Sequence, residues 1–482
     1  MARRLHPVAA LDHAHVWHPF TQMRDWLRSE PIVLIRGQGT VLEDAHKRRY
    51  LDANSSIWTN LHGHRHPRLD AAITRQLGKV AHTSALGLAG EPSARLAAEL
   101  VTAAAPITPS PHPNTAPLTK VFFSDDGSTA VETALKLAYE FTRRTRGPKP
   151  KPRFLSMDGA YHGDTVGAVS VGHIDLFHKA YGGLLFKADK VTSPYCYRCP
   201  FNRAQPERAD ARTYRKCQWE CVRGVEATFE RAKRSGKPFS AFVYEPRIQG
   251  AAGMIAQPEG WLRKVATIAR AHGTLMVADE VMTGFARTGG PSLFAGHSED
   301  VVPDLMALAK GLTGGYLPLA ATLATQPIFD AFLGEYSEFR TFFHGHSYTG
   351  NALGCAVARE SLALLKPANA TRRREQLALL LSKELACLWS LPAVGDIRQV
   401  GLVAGIELVQ DLRRRTPFPL AARVGIRVCE AMARRGVLTR PIGNVLVLMP
   451  PYCTQPHELR TMVSVMREAI EEVTKPQSPI QG

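Results

Sequence analysis

Short apolar runs rich in β-branched and aromatic residues recur along the chain. Each stops on polar residues and a turn: "KVFFSDDGS", "FSAFVYEP" and "TLMVADEV". Stretches of helical periodicity lie between them. "STAVETALKLAYEFTRR" sets Val131, Ala134, Leu135, Ala138 and Phe141 three and four positions apart, on one helical face. Ser128 has the hydroxyl of an N-cap for that helix, and Glu132 falls in its first turns. "EGWLRKVATIARAHG" reads as a second helix, stopped at Gly273. Strands alternating with helices predict an α/β architecture around a mostly parallel sheet. Ligands of such sheets bind beyond the carboxyl ends of the strands, so chemistry is expected where the apolar runs turn polar.

The pattern changes after about residue 345. "GNALGCAVARESLALL" is helical, and "VAGIELV" and "VLVLMPP" read as strands. The expected division is a large domain over 71–344 and a smaller α+β lobe built from both termini, 1–70 and 345–482. Two Pro-rich segments, 105–120 and 146–153, read as surface connections. No internal repeat is visible.

Composition narrows the class. A chain of 482 residues with 45% hydrophobic and 21% charged residues has the makeup of a soluble globular protein with a sizeable core. No apolar run reaches the roughly 18 residues that span a bilayer. The N-terminus has early arginines but no apolar signal region, and a cytosolic protein is expected. The net charge of +17 raises nucleic acid as a partner. The basic residues fall in short separate groups such as "TRRRE" and "DLRRR", with no basic stripe interleaved with aromatics, so no nucleic-acid partner is expected. The same charge favours small anionic substrates.

One lysine stands out. In "LAKGLTGG", Lys310 sits at the end of an apolar run and before glycines. "DDGST" places Gly127 and Ser128 at a helix start, where free backbone amides form a phosphate cradle. "DGAYHGD" offers the Tyr161 ring in a glycine-flanked turn, and "VADEV" ends a strand on Asp279. An amine, a carboxylate, a phosphate cradle and an aromatic face together suit pyridoxal phosphate. The amine bonds the cofactor, helped by a pKa that a dry site lowers. The carboxylate keeps the pyridine nitrogen protonated, so the ring acts as an electron sink.

With those residues in place, the sequence resembles the class III, fold-type I aminotransferases along nearly its whole length. Within them it is similar to the branch that aminates 8-amino-7-oxononanoate in biotin biosynthesis. The matching stretches are "WHPFTQM", "SSIWTNLHGHRHP", "FSDDGSTAVETALKLA", "DGAYHGDTVGAVSVG", "DEVMTGFARTG", "LAKGLTGGYLP", "FHGHSYTGN" and "TRPIGNVLVLMPPY". The resemblance implies a homodimer with active sites at the subunit interface. It implies that Lys310 is the Schiff-base lysine, that Asp279 pairs the pyridine nitrogen, that Gly127 and Ser128 hold the phosphate, and that Tyr161 stacks on the ring. His346 and Ser347 would reach the phosphate from the partner subunit. Arg440 would grip the substrate carboxylate and Gly345 would line the substrate site. Trp58 and Ile57 would wall the acyl chain, and Arg287 would lie near the amino donor.

Two positions depart from members that use S-adenosylmethionine as donor. Phe20 stands where those often carry tyrosine, and Ile57–Trp58 where they often carry a Trp-Trp pair. Losing the tyrosine hydroxyl removes a hydrogen bond worth about 1 kcal/mol. The wording of "PFTQM" and "HGHSYTGN" is closer to members that use L-lysine, which is the favoured donor, with S-adenosylmethionine close behind. A class III transaminase for another ω-amino acid or amine is the alternative enzyme.

Cys196, Cys199, Cys217 and Cys221 are spaced C-x2-C-x17-C-x3-C, inside an insertion over about 193–222. Two short-spaced thiol pairs suit a structural Zn²⁺, and free thiols are the other reading. A zinc module on a basic chain also defines the second functional class, a zinc-dependent nucleic-acid-binding protein. The histidine runs "HGHRHP" and "FHGHS" lack nearby acids and read as site-lining and packing residues.

Overall fold

Seven of the apolar runs assemble into one sheet. The computed structural model describes residues 5–107 and 115–475, so part of the first Pro-rich segment lies outside the described residues. In chain order the strands are β1 (Leu118–Ser124), β2 (Phe154–Met157), β3 (Asp189–Val191), β4 (Ala241–Tyr244), β5 (Leu275–Asp279), β6 (Leu305–Leu308) and β7 (Ala320–Thr325). Across the sheet they lie in the order β1-β7-β6-β5-β4-β2-β3. Strands β6, β5, β4, β2 and β3 are parallel to their neighbours, and β7 runs antiparallel to both β6 and β1. Every residue of β2, β4, β6 and β7 is buried, as in strands covered on both faces. That explains why these runs are continuously apolar rather than alternating.

The helix Gly127–Arg146 covers one face of the sheet and the helices Glu220–Arg234 and Trp261–Ala271 cover the other. The first buries Val131, Ala134, Leu135 and Ala138 as its periodicity predicts. Its cap is not Ser128. Asp126 is the N-cap: its carboxylate accepts from Thr129 N at 3.0 Å, and Thr129 Oγ1 accepts from Asp126 N at 3.1 Å. This shift of two residues leaves Gly127 and Ser128 inside the first turn, where backbone amides have no intrahelical acceptor.

The two termini share a sheet. Leu34–Gln38, Val41–Asp44 and Arg49–Asp52 run antiparallel, and the last of them pairs in parallel with Val437–Leu438. A further antiparallel sheet joins Val394–Val400, Val403–Asp411, Val445–Leu448 and Pro441–Ile442. Among the described residues no helix is long and apolar enough to cross a membrane.

The cysteine-bearing insertion is tied to that last sheet by a buried ion cluster. Arg398 Nη1 lies 3.0 Å from Asp396 Oδ2 and 2.7 Å from Glu407 Oε2. Its Nε donates to Met254 O at 2.7 Å, and Tyr195 of the insertion hydrogen-bonds both Arg398 and Glu407. One guanidinium therefore holds two carboxylates, the insertion and the 253–254 turn. Removing it leaves buried Asp396 without a counter-charge, while Glu407 keeps only Arg198, at 2.5 Å. Arg398→Ala should cost about 3 kcal/mol or more of stability, read from the denaturant midpoint at constant m-value. A loss within about 0.5 kcal/mol would show that water replaces the guanidinium.

Candidate active site

The carboxyl ends of five strands open onto one cavity of about 750 Å³. After β1 come Asp125, Asp126, Gly127 and Ser128. After β2 comes the loop Tyr161–Thr165. Glu245 follows β4, Asp279 ends β5, and Ala309 and Lys310 follow β6. Trp58 and Thr59 close the cavity from the N-terminal segment.

Lys310 is half-buried and its backbone is left-handed, with φ of 46°. Its Nζ lies 4.8 Å from the centroid of the Trp58 ring. Burial lowers the pKa of the amine from its ordinary value, and the carboxylates of Asp279 and Glu245 only partly oppose this. The neutral, nucleophilic amine is thereby favoured.

Asp279 is buried, and its Oδ2 meets His162 Nδ1 at 2.7 Å. Its Oδ1 accepts from Val281 N at 3.0 Å. Burial opposes charge on His162, but the hydrogen bond and charge of Asp279 outweigh it and raise the imidazole pKa. The pair fixes the carboxylate at the strand end. His162 Nε2, Glu245 Oε1 and Trp58 Nε1 are buried without a hydrogen-bond partner, polar atoms that a bound group can satisfy.

The phosphate cradle is built from close contacts. Ser128 Oγ lies 2.7 Å from Thr165 Oγ1 and accepts from Thr165 N at 3.0 Å. A Cβ on Gly163 would fall 2.4 Å from the Ser128 side chain, and one on Gly127 would fall 2.7 Å from Val281 Cγ1. Only glycine lets those backbones approach. Glu132 holds the far side of the loop, accepting from Gly167 N and Ala168 N at 2.6 and 3.1 Å. The Tyr161 hydroxyl donates to Asp164 Oδ2 at 2.6 Å, and burial and that carboxylate push the phenol pKa up, so it stays a neutral donor.

Ser55, Ser56, Ile57 and Trp58 form a left-handed turn, with φ of 47°, 48°, 63° and 68°. Each such residue costs about 1–2 kcal/mol. Asp52 holds the turn: its carboxylate accepts from Asn54 N at 3.2 Å, Ser56 N at 3.1 Å and the Ser56 hydroxyl at 3.0 Å. The Ser55 hydroxyl donates to Met449 O at 2.6 Å. The strain keeps the Trp58 ring against Lys310.

The structure thus brings Lys310, Asp279, Tyr161, Gly127, Ser128 and Trp58 to one cavity. The other expected residues lie outside its lining. Phe20 is 60% exposed and packs edge-on against Phe177 at 5.2 Å, whose ring abuts Tyr161. Ile57 is 43% exposed. Gly345 is exposed with open space around it. His346 Nδ1 lies 3.3 Å from Asp125 Oδ2, a residue of the cavity wall in the same chain. Ser347 O accepts from His82 Nε2 at 2.8 Å. Arg440 is exposed, and Ile442 two residues on packs against the same buried cluster as Trp58. Arg287, expected near the amino donor, is 1% exposed, donates to Pro450 O at 2.8 Å and Asn60 O at 3.0 Å, and stacks on Tyr452. Its cation ties backbone segments together.

The cysteine spacing also misleads. Cys196, Cys199, Cys217 and Cys221 line one small enclosed cavity, and all are free thiols. Among the described residues no group of three or more His, Cys, Asp or Glu side chains is set to hold a metal ion. Arg215 Nη1 lies 3.1 Å from Cys217 Sγ, and burial pushes the Cys196 and Cys221 thiols up to about 12 and about 11. The structural zinc is not supported, and the zinc-dependent nucleic-acid-binding class loses its basis. In the histidine runs, His62 meets Ser361 Oγ at 3.0 Å and His64 meets Asp52 at 3.1 Å.

The sequence reading missed Glu245, His162 as the partner of Asp279, Asp164 and Thr165. Glu245 had a signal: it ends "FSAFVYEP" as Asp279 ends its own run.

This fold and site are those of an aminotransferase. The family described as Aminotransferase class-III matches residues 24–470, and the chain belongs to it. Adenosylmethionine-8-amino-7-oxononanoate aminotransferase of Nitratidesulfovibrio vulgaris is 50% identical, over 98% of this chain and 83% of that protein. The crystal structure of the protein of the same name from Methanocaldococcus jannaschii superposes with a TM-score of 0.86 at 38% identity, covering 96% of this chain and 98% of that one. An amine transaminase from an uncultivated Pseudomonas species, solved in its PLP-bound form, superposes at 0.84 with 32% identity, covering 95% and 98%. The cavity fits pyridoxal phosphate: it has an amine, free helix-start amides, a carboxylate at a strand end and partnerless buried polar atoms.

Two measurements test this geometry. Burial raises the Glu245 carboxyl to about 7 from an ordinary 4.5. The folded chain then keeps a proton that the unfolded chain releases, so stability falls as pH rises from about 4.5 to about 7. Glu245→Gln should flatten that slope without abolishing it, because buried Glu280 is raised in the same sense. An unchanged slope in urea unfolding across that window would place Glu245 in water. Separately, Ile57→Gly should raise stability by about 1 kcal/mol, since glycine adopts the left-handed conformation that a β-branched residue resists. A lower melting temperature would mean that Ile57 contacts outweigh the strain.

Proposed function

We propose that this chain transfers an amino group to 8-amino-7-oxononanoate, giving 7,8-diaminononanoate, as a cytoplasmic homodimer. The observation that carries the reading is the full-length likeness to relatives of that name, together with a cavity that holds the whole amine, carboxylate and cradle set. The sequence reading leaned to L-lysine as donor; the relatives' names, at 50% and 45% identity, favour S-adenosylmethionine.

Gly127 and Ser128 would hold the cofactor's phosphate through their free amides, with Thr165 beside them. Asp279, kept in place by His162, would accept a hydrogen bond from the protonated ring nitrogen. Tyr161 would cover the ring. Pyridoxal phosphate, when bound, supplies an electron sink that stabilises charge at the carbon losing its proton. The chain's own task is to move that proton. Lys310 Nζ, whose pKa desolvation lowers, would take the proton from the donor carbon, and on the acceptor would give a proton to the carbon that becomes the amine. The donor leaves as a ketone and the acceptor ketone leaves as an amine. Trp58 supplies an apolar wall for the acyl chain, and Arg440, on the stretch next to Ile442, meets the distal carboxylate.

A second copy of the chain is the expected partner. Trp17, Leu86 and Phe343 are 88%, 91% and 74% exposed, apolar side chains that a second copy would cover. Phe343 is close in sequence to Gly345, His346 and Ser347, which supports that loop as a partner contact.

A donor exchange tests the reading. Purified protein with pyridoxal phosphate and 8-amino-7-oxononanoate receives S-adenosylmethionine or L-lysine, and 7,8-diaminononanoate is quantified. Product with S-adenosylmethionine is expected, with none from Lys310→Ala, which should also lose the visible absorbance of the lysine-bound cofactor. Product from L-lysine alone keeps the acceptor and reverses the donor. No product from either, with the absorbance intact, overturns the acceptor and favours the amine-transaminase reading that the Pseudomonas structure supports.

A further inference from the structure

A second cavity, of about 860 Å³, lies between the 286–290 turn, the helix Ala368–Leu385 and the strand Val394–Val400. It is somewhat larger than the active-site cavity, about 750 Å³, and shares no lining residue with it. Apolar side chains line it, among them Leu379, Leu385, Trp389 and Leu402, together with three arginines, Arg212, Arg247 and Arg374.

The three arginines are not equally occupied. Arg212 is spent: it pairs with Asp210 at 2.6 Å and donates to Gln399 O at 2.8 Å. Arg374 is buried, donates to Leu365 O at 3.2 Å and Thr371 Oγ1 at 2.9 Å, and stacks on Tyr452. Arg247 makes one side-chain hydrogen bond, from Nη1 to Thr288 O at 2.8 Å. Among the described residues neither Arg247 nor Arg374 has a carboxylate in ion-pair contact. The acids of the lining are Asp210, already paired, and Glu375. A guanidinium removed from water without a counter-ion is costly, and a bound anion would supply one. Burial lowers the Arg247 pKa from its ordinary value; the Glu299 carboxylate, beyond ion-pair reach, opposes this, and Arg212 adds to it.

The backbone singles out the same residue. Arg247 has a φ of 65°. Gln257 clasps it from both sides: Gln257 N donates to Arg247 O at 2.8 Å, and Arg247 N donates to Gln257 Oε1 at 3.1 Å. Arg247 is one of seventeen non-glycine residues with positive φ among those described, and the two Gln257 hydrogen bonds hold it there. Here the strain places an unpaired cation in a cavity whose remaining walls are largely apolar.

We propose that this second cavity binds a small amphipathic anion, a carboxylate on an apolar chain, with Arg247 as its anchor and Trp389, Leu379 and Leu402 against the chain. The cavity also has contacts toward the reaction site. Arg374 and Arg287 both lie over the Tyr452 ring, and Arg287 holds Asn60 O, just past the Trp58 turn. Arg247 stands two residues from Glu245 of the active-site wall. The proposal stands whatever the amino acceptor proves to be.

The probe is nonanoate, titrated into the holoenzyme by calorimetry and by tryptophan emission. Two sites per chain are expected, because the acyl-binding cavity takes the same chemistry. Arg247→Gln should weaken one of them by about tenfold or more and leave turnover of amine donor and acceptor unchanged. Ala378→Trp, which fills the cavity from the helix, should abolish the same site. Trp389→Phe should remove the emission change while keeping the heat. A single site that survives both Arg247→Gln and Ala378→Trp overturns the proposal. Loss of turnover together with a lowered melting temperature in both variants would also overturn it, since Arg247 would then serve the fold.

Discussion

The lysine amine at the end of β6 is the constraint around which the rest is arranged. Lys310 must be desolvated enough to be neutral, yet an amine in a dry pocket beside another cation would be driven from the site. The sheet resolves this by register. Asp279 ends β5 directly beside β6, and Glu245 follows β4, the next strand out. Two carboxyl groups therefore face the amine from adjacent strand ends. They oppose the effect of burial without cancelling it. His162 then takes one carboxylate as its own partner, so Asp279 is held in one orientation and stays available on the cavity side. A parallel sheet brings such groups together because all its strands end on the same edge.

Much of this was legible because it is local. A run that turns polar predicts a strand end, and the strand ends are where the site formed. Gly127, Ser128, Asp279 and Lys310 each carry their meaning within a few residues. What escaped depends on contacts across the fold. Ser128 looked like a cap because its hydroxyl precedes a periodic stretch; the structure gives the cap to Asp126 and the Ser128 hydroxyl to Thr165, 37 residues away. Arg287 was placed by the resemblance of its stretch alone; its two carbonyl partners, Asn60 and Pro450, are 227 and 163 residues distant and leave no trace in its own neighbourhood. The cysteines had the spacing of a metal site, but spacing cannot show that an arginine sits against one thiol.

The buried arginines share a logic. Arg287, Arg374 and Arg398 each cross between distant segments and spend donors on backbone carbonyls. A guanidinium suits this task because it carries five donors in a plane and keeps its charge. The chain just past the Trp58 turn, which closes the active site from outside the sheet, and the 253–254 turn are both held this way. The strained turn at Ser55–Trp58 persists only because Asp52, Met449 and Arg287 hold it from three sides. A chain without those ties would relax the turn and swing Trp58 off the lysine.

That logic also separates Arg247 from its relatives in the core. Arg398 has two carboxylates, and Arg287 and Arg374 have aromatic faces and two hydrogen-bonded acceptors each. Arg247 has one carbonyl, a neighbouring arginine and an open cavity. Its backbone is as strained as that of Lys310, with φ of 65° against 46°. In one case the strain aims a cation at a cavity whose chemistry the family makes plain. In the other it aims a half-buried cation at a cavity of similar size whose walls mix apolar side chains with two further arginines. An acid within ion-pair reach would offset the cost of drawing that guanidinium from water; among the described residues none makes that contact, and a bound anion would supply the charge.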